Sequence, residues 1–355
     1  MNQLETENII NLVDRHLSWF EPKGKPQRLK GGNLNYVWRI EGKPRSIIFK
    51  YFAPHIAVAP EIPLDLQRML IEARCLQAFS ENGEFAPISN PEIRPPQIYY
   101  FDKQGHFLVI EDVENSSDNN SNNNWVFQYF SGQKAGEAIG NFIGNLHAIS
   151  FKKEHLAKHF DNLGIQKTRL QLQYKAIVDL LEKAGISDFK ILGKRVEELG
   201  KKYLDKGQNL IMGDLWPRSI LPTPQGLRII DWELAHYGRP AQDLGHFAAH
   251  LWMMFHRAKE QQKIEIKNML ESFFISYNEA LGERKYEILK PEEIIDCSIH
   301  FGAEILVRTI GRFQSGYLYD GLDLGDRIIR EALQTAALHI RSPEKLDTFS
   351  LLKYN

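Results

Sequence analysis

The sequence predicts an α+β fold in two lobes, a small N-terminal lobe with an antiparallel sheet and a larger, mainly helical C-terminal lobe. Three observations predict it. Segments with strand character crowd the first 113 residues, helical periodicity dominates the chain after about residue 130, and a polar tract separates the two regions. A chain of 355 residues also exceeds one typical hydrophobic core, which favours two lobes over one.

The first lobe, residues 1–113, is predicted to begin with a helix over about 5–20 and to continue with short strands. The strand segments are YVWRI at 36–40, SIIFKYF at 46–52 and HFLVIEDV at 106–113. Glycine, proline and asparagine punctuate them, as in a meandering sheet. Apolar residues of PLDLQRMLIEARCLQAF at 63–79 recur near helical spacing, which predicts one helix inserted between the second and third of these strands.

A tract rich in asparagine, ENSSDNNSNNN at 114–124, follows the first lobe. It cannot bury enough apolar surface to order itself, so we predict a flexible loop. Residues 125–355 then form the second lobe, whose helical patterns reach about Leu338. Within it, only the stretch NLIMGDLWPRSILPTPQGLRIIDWELAHYG at 209–238 interrupts the predicted helices with strands.

The composition excludes several classes of protein. A formal net charge of -1 gives no basic surface for nucleic acid, so we expect a small-molecule partner. Cys75 and Cys297 form no CxxC pattern, which argues against a disulfide framework and a structural zinc site. The acidic N-terminal segment does not resemble an export signal, and the longest strongly apolar run, 247–255, is too short to cross a bilayer. We therefore expect a cytoplasmic monomer or homodimer without membrane association.

The segment LKGGNLNYVWRI at 29–40 places glycines and asparagines directly before the first strand of the sheet. Backbone amides in such a loop can approach phosphate oxygens without obstruction by side chains. Gly31, Gly32, Asn33 and Asn35 are therefore candidate phosphate-binding residues. A plain hairpin turn is the alternative interpretation.

A lysine in an apolar strand and a glutamate on the next helix follow this loop. Lys50 shares a strand face with Ile48 and Phe52, so it either lies at a sheet edge or pairs with an anion. Glu72, on the predicted inserted helix, is the candidate counter-ion. A glycine-rich loop, a strand lysine and a helix glutamate, in this order, are the phosphate-binding parts of a protein-kinase-like small lobe.

Two aspartates follow short apolar runs in the stretch 209–238. Asp214 comes after NLIMG, Asp231 comes after GLRII, and Glu233 lies two residues further on. In phosphoryl transfer one carboxylate orients and deprotonates the acceptor hydroxyl, while another holds magnesium against the nucleotide phosphates. Asp214 is therefore the candidate catalytic base, and Asp231 and Glu233 are candidate Mg²⁺ ligands. A hairpin with acidic ends is the structural alternative.

MGDLWPRSILP and LRIIDWELAHYGRPAQDLG together resemble the signature of the aminoglycoside phosphotransferase and choline kinase superfamily. The resemblance covers nearly the whole chain and implies a bilobal protein-kinase-like fold with ATP and Mg²⁺ as cofactors. It implies transfer of the γ-phosphoryl group of ATP to a hydroxyl, with Asp214 as base and with Asp231 and Glu233 on magnesium. It also implies that Asp243 braces the catalytic loop and that His147 is structural.

Among the branches of this superfamily, the resemblance is closest to methylthioribose kinase. GGNLNYVWRI, IIFKYF, the predicted inserted helix and DWELAHYGRPAQDLG match its pattern in the same order. The resemblance implies a nucleotide-binding lobe over 1–113, a catalytic and substrate lobe over 125–355, and a nucleotide between them. It also implies that adenine lies against 111–113, so Glu111 and Val113 are candidate ATP contacts.

The leading acceptor is a methylthioribose-like sugar. Another small alcohol, as in the aminoglycoside, choline or homoserine phosphotransferases, is the alternative within the class. A nucleotide-binding module that has lost catalysis is the alternative from another class. Met212 favours that alternative because the family has histidine there, whereas the presence of Lys50, Glu72 and all three carboxylates counts against it.

Two further positions depart from the family pattern. Ser219 stands where the superfamily usually has asparagine, although methylthioribose kinases also tend to have serine, and it is kept as a candidate metal ligand. In VRTIG, Val307 replaces the first arginine of a pair that contacts the sugar in methylthioribose kinases, which leaves Arg308 as the candidate substrate contact. Trp216, in the loop after the candidate base, either walls the substrate site or anchors the loop.

Two other patterns have structural interpretations. His246 and His250 have a metal-ligand spacing but lack the glutamate of an HExxH motif, so we expect packing or surface histidines. The charge-rich segment 154–185 is predicted to form a solvated helix face.

Overall fold

Short strands lie mainly in the first part of the chain and long helices mainly in the second. This computed structural model describes residues 6–29, 34–113 and 129–345. The described α-helices are, in chain order, α1 Thr6–His16, α2 Gln67–Ala78, α3 Gly132–Ser150, α4 Glu154–His159, α5 Leu163–Arg169, α6 Ile177–Lys183, α7 Phe189–Lys202, α8 Ala241–Arg257, α9 Glu260–Leu281, α10 Lys285–Ile288, α11 Pro291–Thr309 and α12 Arg327–Arg341. The described strands are β1 Glu21–Pro22, β2 Gln27–Arg28, β3 Tyr36–Ile40, β4 Gly42–Lys43, β5 Ile47–Tyr51, β6 His55–Ile56, β7 Ala59–Pro63, β8 Ile93–Arg94, β9 Ile98–Asp102, β10 Phe107–Glu111, β11 Asn209–Ile211, β12 Ile220–Thr223, β13 Gly226–Ile229 and β14 His236–Gly238.

The chain divides into two units. The first comprises the described residues up to 113 together with Leu221–Leu234, and the second comprises 129–220 together with the described chain from Ala235 onward. The lobe boundaries taken from chain order stay a prediction, but the segment 221–234, expected in the second lobe, belongs to the first unit. The asparagine-rich tract 114–124 lies outside the described residues.

The first unit is built on an antiparallel sheet with the strand order β2-β3-β5-β10-β9. Ile9, Val13 and Leu17 recur every four residues on and just after α1, and this apolar stripe packs into one core with Trp38 and Phe49 of the sheet. Because successive side chains of a strand point to opposite faces, the residue after Phe49 lies on the other face. The sequence alternation of β5 thus buries an aromatic ring on one face and directs a lysine to the other.

Most predicted elements of this unit are present, with shorter ends. The predicted strands at 36–40, 46–52 and 106–113 correspond to β3, β5 and β10, and the inserted helix to α2. The edge strand β9 and the hairpin of β6 with β7 were not predicted. The sequence IYYFD of β9 is half-buried throughout and shows no alternation of buried and exposed residues, so its pattern gives no period-2 signal.

The segment 221–234 joins the first unit through a small sheet with the order β12-β13-β8. β13 pairs in parallel with β8, with Leu227 opposite Ile93. Trp232, which is fully buried, packs its ring 4.8 Å from that of Phe79 at the end of α2. These contacts bring the end of β13 beside α2, so the residues that follow β13 lie near the helix that carries Glu72.

Two long helices of the second unit approach each other closely. Gly136 and Gly140 of α3 face α9, where an added Cβ would lie 2.2 Å from the carbonyl oxygens of Met269 and Phe273. Because the helices approach so closely, any larger residue at these two positions would require the backbone of one helix to move. The C-terminal end of α3 in turn holds β11, because the Ser150 hydroxyl accepts the amide hydrogen of Leu210 at 2.9 Å.

Helices α8, α11 and α12 complete the second unit and bury several neutral histidines. His339 of α12 is 3% exposed, and its Nδ1 lies 2.9 Å from the Ser298 hydroxyl of α11. Burial lowers the pKa of His339 to about 4, and burial likewise lowers the pKa of His250 to about 4.

Within the described residues, none of the helices is both long and apolar enough to cross a membrane. The α+β prediction, with a sheet in the first part and helices in the second, is confirmed.

These histidines predict a loss of stability in weak acid. A histidine whose folded pKa is depressed stabilises the fold fully above its unfolded pKa of 6.5, and that contribution falls as pH drops towards about 4. His339→Asn, which removes the titration but keeps a polar group near Ser298, should therefore reduce the fall in unfolding free energy between pH 7 and pH 5 by about 2 kcal/mol. Urea denaturation at the two pH values measures it.

The matched control is His155→Asn at an exposed position, which should leave the acid-dependent loss unchanged. The buried carboxyls Glu293 and Asp296, whose pKa values burial raises, act in the opposite direction. They are present in every variant compared, so their effect cancels in the difference. Equal losses in wild type and His339→Asn would contradict the prediction.

Candidate active site

Lys50 lies at the centre of a buried ion-pair cluster in the first unit. Its Nζ is 2.9 and 2.8 Å from the carboxylate oxygens of Glu72 on α2 and 2.8 Å from Oδ1 of Asp231. Burial alone would lower the pKa of Lys50, but Asp231, Glu72 and Glu233 outweigh burial and raise that pKa, so the ammonium stays charged. The structure thus brings together the strand lysine and the helix glutamate that the sequence pairs, and it adds a second carboxylate.

Glu233 is tied to residues on two sides. Its Oε2 accepts a hydrogen bond from Nη1 of Arg68 at 2.6 Å, and its Oε1 accepts one from Nδ2 of Asn35 and lies 3.6 Å from Nζ of Lys50. Asn35 is 4% exposed, so it lies within this cluster rather than open to solvent. The other three residues of the predicted phosphate loop, Gly31, Gly32 and Asn33, lie outside the described residues.

Asp231 is the accessible carboxylate of the cluster. Its side chain is 45% exposed, against 2% for Glu72 and 3% for Glu233. Its φ of 63° lies in the left-handed region, which an aspartate adopts at a small cost when its surroundings fix it.

The same cluster suits a divalent cation. Three carboxylates, Glu72, Asp231 and Glu233, surround two cationic side chains, Lys50 and Arg68, so the cluster carries one excess negative charge when all five groups are ionised. Among the described residues, no group of three or more His, Cys, Asp or Glu side chains is arranged to hold a metal ion. An exposed aspartate that shares its cation with phosphate oxygens and water is the arrangement that Mg²⁺ prefers, and Asp231 fits it.

The side chains of the segment predicted to contact adenine are engaged in ion pairs of the first unit. Glu111, at the end of β10, accepts hydrogen bonds from both terminal nitrogens of Arg94, at 2.6 and 2.8 Å. Asp112 accepts two from Arg39, at 2.6 and 2.9 Å. Val113 follows and is half-buried. These pairs engage the side chains of Glu111 and Asp112 within the first unit.

Asp214 lies in the loop after β11 in the second unit, with a side chain 23% exposed. Its Oδ1 accepts a hydrogen bond from Nη2 of Arg169 at 2.9 Å, and Nη1 of the same guanidinium donates to the carbonyl of Gly213. The arginine holds both the carboxylate and the loop that carries it. A charge-assisted pair of this kind orients the Asp214 carboxylate and offsets its charge. Arg169 is therefore a functional candidate that the sequence did not reveal.

Most charged side chains of 154–185 are exposed, as the predicted solvated face requires, but Arg169 and Gln173 are not. Arg169 is 11% exposed and Gln173 is 4% exposed, and Nε of the first donates to Oε1 of the second at 2.8 Å. Arg169 ends α5, and the chain continues as a π-helix over Leu170–Tyr174. A π-helical turn rotates the following side chains relative to an α-helix and is common at functional sites. A periodicity of 3.6 residues therefore assigns the wrong side chains to solvent.

Asp243 holds the loop before Asp214 through the backbone. Its two carboxylate oxygens accept the amide hydrogens of Met212 and Gly213, each at 2.8 Å, and the side chain is fully buried. His147 lies behind it, with Nε2 at 3.4 Å from Oδ2 of Asp243. The amide of Met212, rather than its side chain, thus takes part in the brace, so the missing family histidine leaves the loop fixed by other means.

Ser219 has its hydroxyl bound to the same loop. Oγ donates to the carbonyl of Trp216 at 2.8 Å and of Asp214 at 3.3 Å, and the side chain is fully buried. These bonds use the hydroxyl for loop geometry, and the contacts give its predicted role as a metal ligand no support.

Trp216 and Arg308 come together beside Asp214. The guanidinium of Arg308 lies 4.5 Å from the ring of Trp216, and the ring of Tyr317 lies 5.6 Å from that of Trp216. Burial would lower the pKa of Arg308, but Glu304 and Asp214 outweigh burial and raise it. The two predicted substrate residues therefore form one aromatic and cationic group.

Glu304 underlies this group and is fully buried. Its Oε1 accepts from Nε of Arg308 at 2.7 Å and lies 3.1 Å from Nε2 of His250, and its Oε2 accepts from Gln173. His250 and the neighbouring His246 are both buried, and burial lowers both pKa values, so they are neutral packing residues, as the sequence indicated. Glu304 thereby fixes one arginine near Asp214 directly and the other through Gln173.

Comparison with known proteins identifies related chains. A model of the phosphotransferase enzyme family matches residues 25–269. A 4-hydroxytryptamine kinase of Psilocybe cyanescens is 26% identical in an alignment that covers 76% of this chain and 78% of that protein. A methylthioribose kinase of Exiguobacterium sibiricum is 26% identical in an alignment that covers 92% of this chain and 90% of that protein.

Solved structures share the fold. A choline kinase from Cryptosporidium parvum Iowa II has a TM-score of 0.53 with 13% identity and covers 96% of each chain. A macrolide 2'-phosphotransferase of type I has a TM-score of 0.51 with 14% identity and covers 96% of this chain and 98% of its own. The predicted protein-kinase-like fold is therefore confirmed, whereas identities this low say nothing of the acceptor.

Proposed function

The chain belongs to the phosphotransferase enzyme family and is a small-molecule kinase, and from this we propose that it transfers the γ-phosphoryl group of ATP to a substrate hydroxyl with the aid of Mg²⁺. The buried ion pair between Lys50 and Glu72 carries the proposal. A fixed ammonium beside an accessible aspartate is the arrangement that binds nucleotide phosphates and their metal.

On the nucleotide side, Lys50 would bind phosphate oxygens and Asp231 would hold magnesium. Bound there, the metal would neutralise charge on the phosphates. The Glu72 carboxylate holds the Lys50 ammonium in position before the nucleotide arrives, so little reorganisation is needed on binding. Gly31, Gly32 and Asn33 remain proposed phosphate contacts, and the backbone of Glu111 and Val113 remains the proposed adenine contact.

On the acceptor side, Asp214 would orient the substrate hydroxyl and accept its proton. As the hydroxyl oxygen bonds to the γ-phosphorus, the bond from that phosphorus to the bridging oxygen of ADP breaks. Arg169 fixes Oδ1 of the carboxylate, and Asp243 fixes the preceding backbone, so the base is held in one orientation.

The proposed acceptor is a methylthioribose-like sugar. The methylthioribose kinase match spans 92% of the chain, and Arg308 with Trp216 supplies a donor and an apolar surface near Asp214. The second candidate is a hydroxylated aromatic compound, which the 4-hydroxytryptamine kinase match and the rings of Trp216 and Tyr317 favour.

The test is ADP release from Mg-ATP with a panel of acceptors: methylthioribose, ribose, 4-hydroxytryptamine, choline, homoserine and kanamycin. We expect turnover with methylthioribose and none above background in Asp214→Asn. Turnover with another alcohol alone would keep the kinase and change the acceptor. ATP binding in a thermal-shift assay without turnover on any member would favour the non-catalytic nucleotide-binding alternative.

A further inference from the structure

The surroundings of Glu233 differ from those of an open metal ligand. The side chain is 3% exposed, and each carboxylate oxygen already accepts a hydrogen bond, Oε2 from Arg68 and Oε1 from Asn35. A magnesium ligand exchanges such bonds for the metal and needs access to water and phosphate oxygens. Asp231, two residues earlier and 45% exposed, has that access.

Arg68 explains why Glu233 is held. Its side chain is completely buried on α2, one turn before Glu72, and its guanidinium lies 4.9 Å from the ring of Phe52. Nη2 donates to the carbonyl of Ala53 at 2.7 Å, and Nη1 donates to Glu233. A buried guanidinium requires a counter-charge, and the ion pair with Glu233 supplies it.

Resting on the function proposed above, we propose that Glu233 is a positioning residue rather than a magnesium ligand. With Arg68 and Asn35 it forms what we call the clasp. The clasp joins α2, the residue that precedes β3, and the loop that carries Asp231. Asp231 is then the carboxylate of this pair that binds the metal, and the clasp fixes the backbone on which it stands.

The clasp and a metal-ligand role predict different effects of the same substitution. If Glu233 holds Arg68, Glu233→Gln leaves a buried guanidinium without counter-charge and destabilises the protein when no ligand is present. If Glu233 binds metal, the same substitution weakens metal binding as strongly as Asp231→Asn does. Removing both charges with Arg68→Met and Glu233→Gln should restore part of the lost stability, because the pair acts as a unit.

The experiment measures two quantities for wild type, Asp231→Asn, Glu233→Gln and the double variant Arg68→Met with Glu233→Gln. One is the urea midpoint without metal or nucleotide, and the other is Mn²⁺ affinity by electron paramagnetic resonance with a non-hydrolysable ATP analogue. We expect Asp231→Asn to weaken Mn²⁺ binding by more than about 100-fold and Glu233→Gln by no more than about 10-fold. The urea midpoint should fall in Glu233→Gln and recover partly in the double variant.

Equal losses of Mn²⁺ affinity in Asp231→Asn and Glu233→Gln, with an unchanged urea midpoint in the latter, would overturn the clasp. A double variant no more stable than Glu233→Gln would also overturn it. If Glu233→Gln does not fold, the metal measurement is made on the double variant, and the recovery of folding there supports the clasp. If the wild-type protein binds no Mn²⁺ with the nucleotide analogue, the proposed function is wrong. The urea midpoints of the variants would still show whether the clasp exists.

Discussion

Replacing Asp214 with asparagine is expected to lower kcat by about 10³-fold while the fold stays intact. The amide keeps the shape of the side chain but cannot accept the proton of the substrate hydroxyl. Its oxygen can still accept the hydrogen bond from Arg169, and that arginine also donates to the carbonyl of Gly213, so we expect the free energy of unfolding to fall by no more than about 1 kcal/mol. Steady-state ADP release and urea denaturation measure the two quantities.

Asp243→Asn is the matched control for this experiment. Its carboxylate accepts the amide hydrogens of Met212 and Gly213 in a fully buried position, so an amide there presents a donor to a donor. We expect this variant to lose both activity and about 2 kcal/mol of stability. Loss of activity without loss of stability in Asp214→Asn separates the base from the brace, and wild-type kcat in Asp214→Asn would refute the assignment of the base.

The second large effect is expected from Lys50→Met, which should abolish the magnesium-dependent thermal shift with ATP. The substitution also leaves Glu72 buried without the cation that pairs with both of its oxygens. We expect a loss of about 3 kcal/mol or more at pH 8, in line with a buried pair broken on one side. Thermal shift with Mg-ATP and urea denaturation without ligands measure these effects.

The loss should depend on pH. Burial raises the pKa of Glu72 to about 7 even with Lys50 present, and the pKa rises further once the lysine is removed. A carboxyl whose folded pKa is raised destabilises the fold increasingly as pH rises from its unfolded value of 4.5 to its folded value. Lys50→Met should therefore be less destabilising at pH 6 than at pH 8, by about 1 kcal/mol.

Two variants serve as controls for Lys50→Met. Lys50→Met combined with Glu72→Gln removes both charges and should recover much of the stability at pH 8 without recovering the response to ATP. Lys103→Met, in an exposed turn of the same unit, should change neither quantity. A Lys50→Met protein that keeps the magnesium-dependent shift would show that the ammonium does not hold the phosphates.

Part of this site could be predicted because its residues stand in local patterns. Lys50 interrupts an apolar strand, and Glu72 lies on a helix that follows. Because an unpaired buried ammonium is costly, this arrangement predicted that the two residues form an ion pair. Asp214 and Asp231 end short apolar runs, and such positions place carboxylates at strand ends. In each case the signal is a polar residue where the surrounding period predicts burial.

The two arginines that hold the carboxylates gave no such signal. Arg68 and Glu233 are 165 positions apart, and Arg169 and Asp214 are 45 apart, so neither pair appears within a window of local sequence. Arginine on a helix is ordinarily a surface residue. The π-helix after Arg169 also breaks the 3.6-residue spacing from which buried side chains are predicted. Their roles depend on tertiary contacts that a single sequence does not show.

The fold shows the same division between local and distant information. β3, β5, β10 and α2 follow from alternation and helical spacing, which are local. The parallel pairing of β13 with β8 joins segments more than a hundred residues apart, and chain order alone does not show that 221–234 belongs with the first unit.

That discontinuity has a consequence for the order in which the protein can fold during synthesis. The first unit needs residues 221–234 to complete it, and these leave the ribosome only after much of the second unit has been made. Until Glu233 emerges, Arg68 has no carboxylate to offset its burial, so the α2 side of the N-terminal segment lacks its counter-charge, whereas the core of α1 and the sheet uses no residue after Val109. We therefore expect the α2 side of the first unit to complete its packing only after a counter-ion encoded 165 codons later has been made.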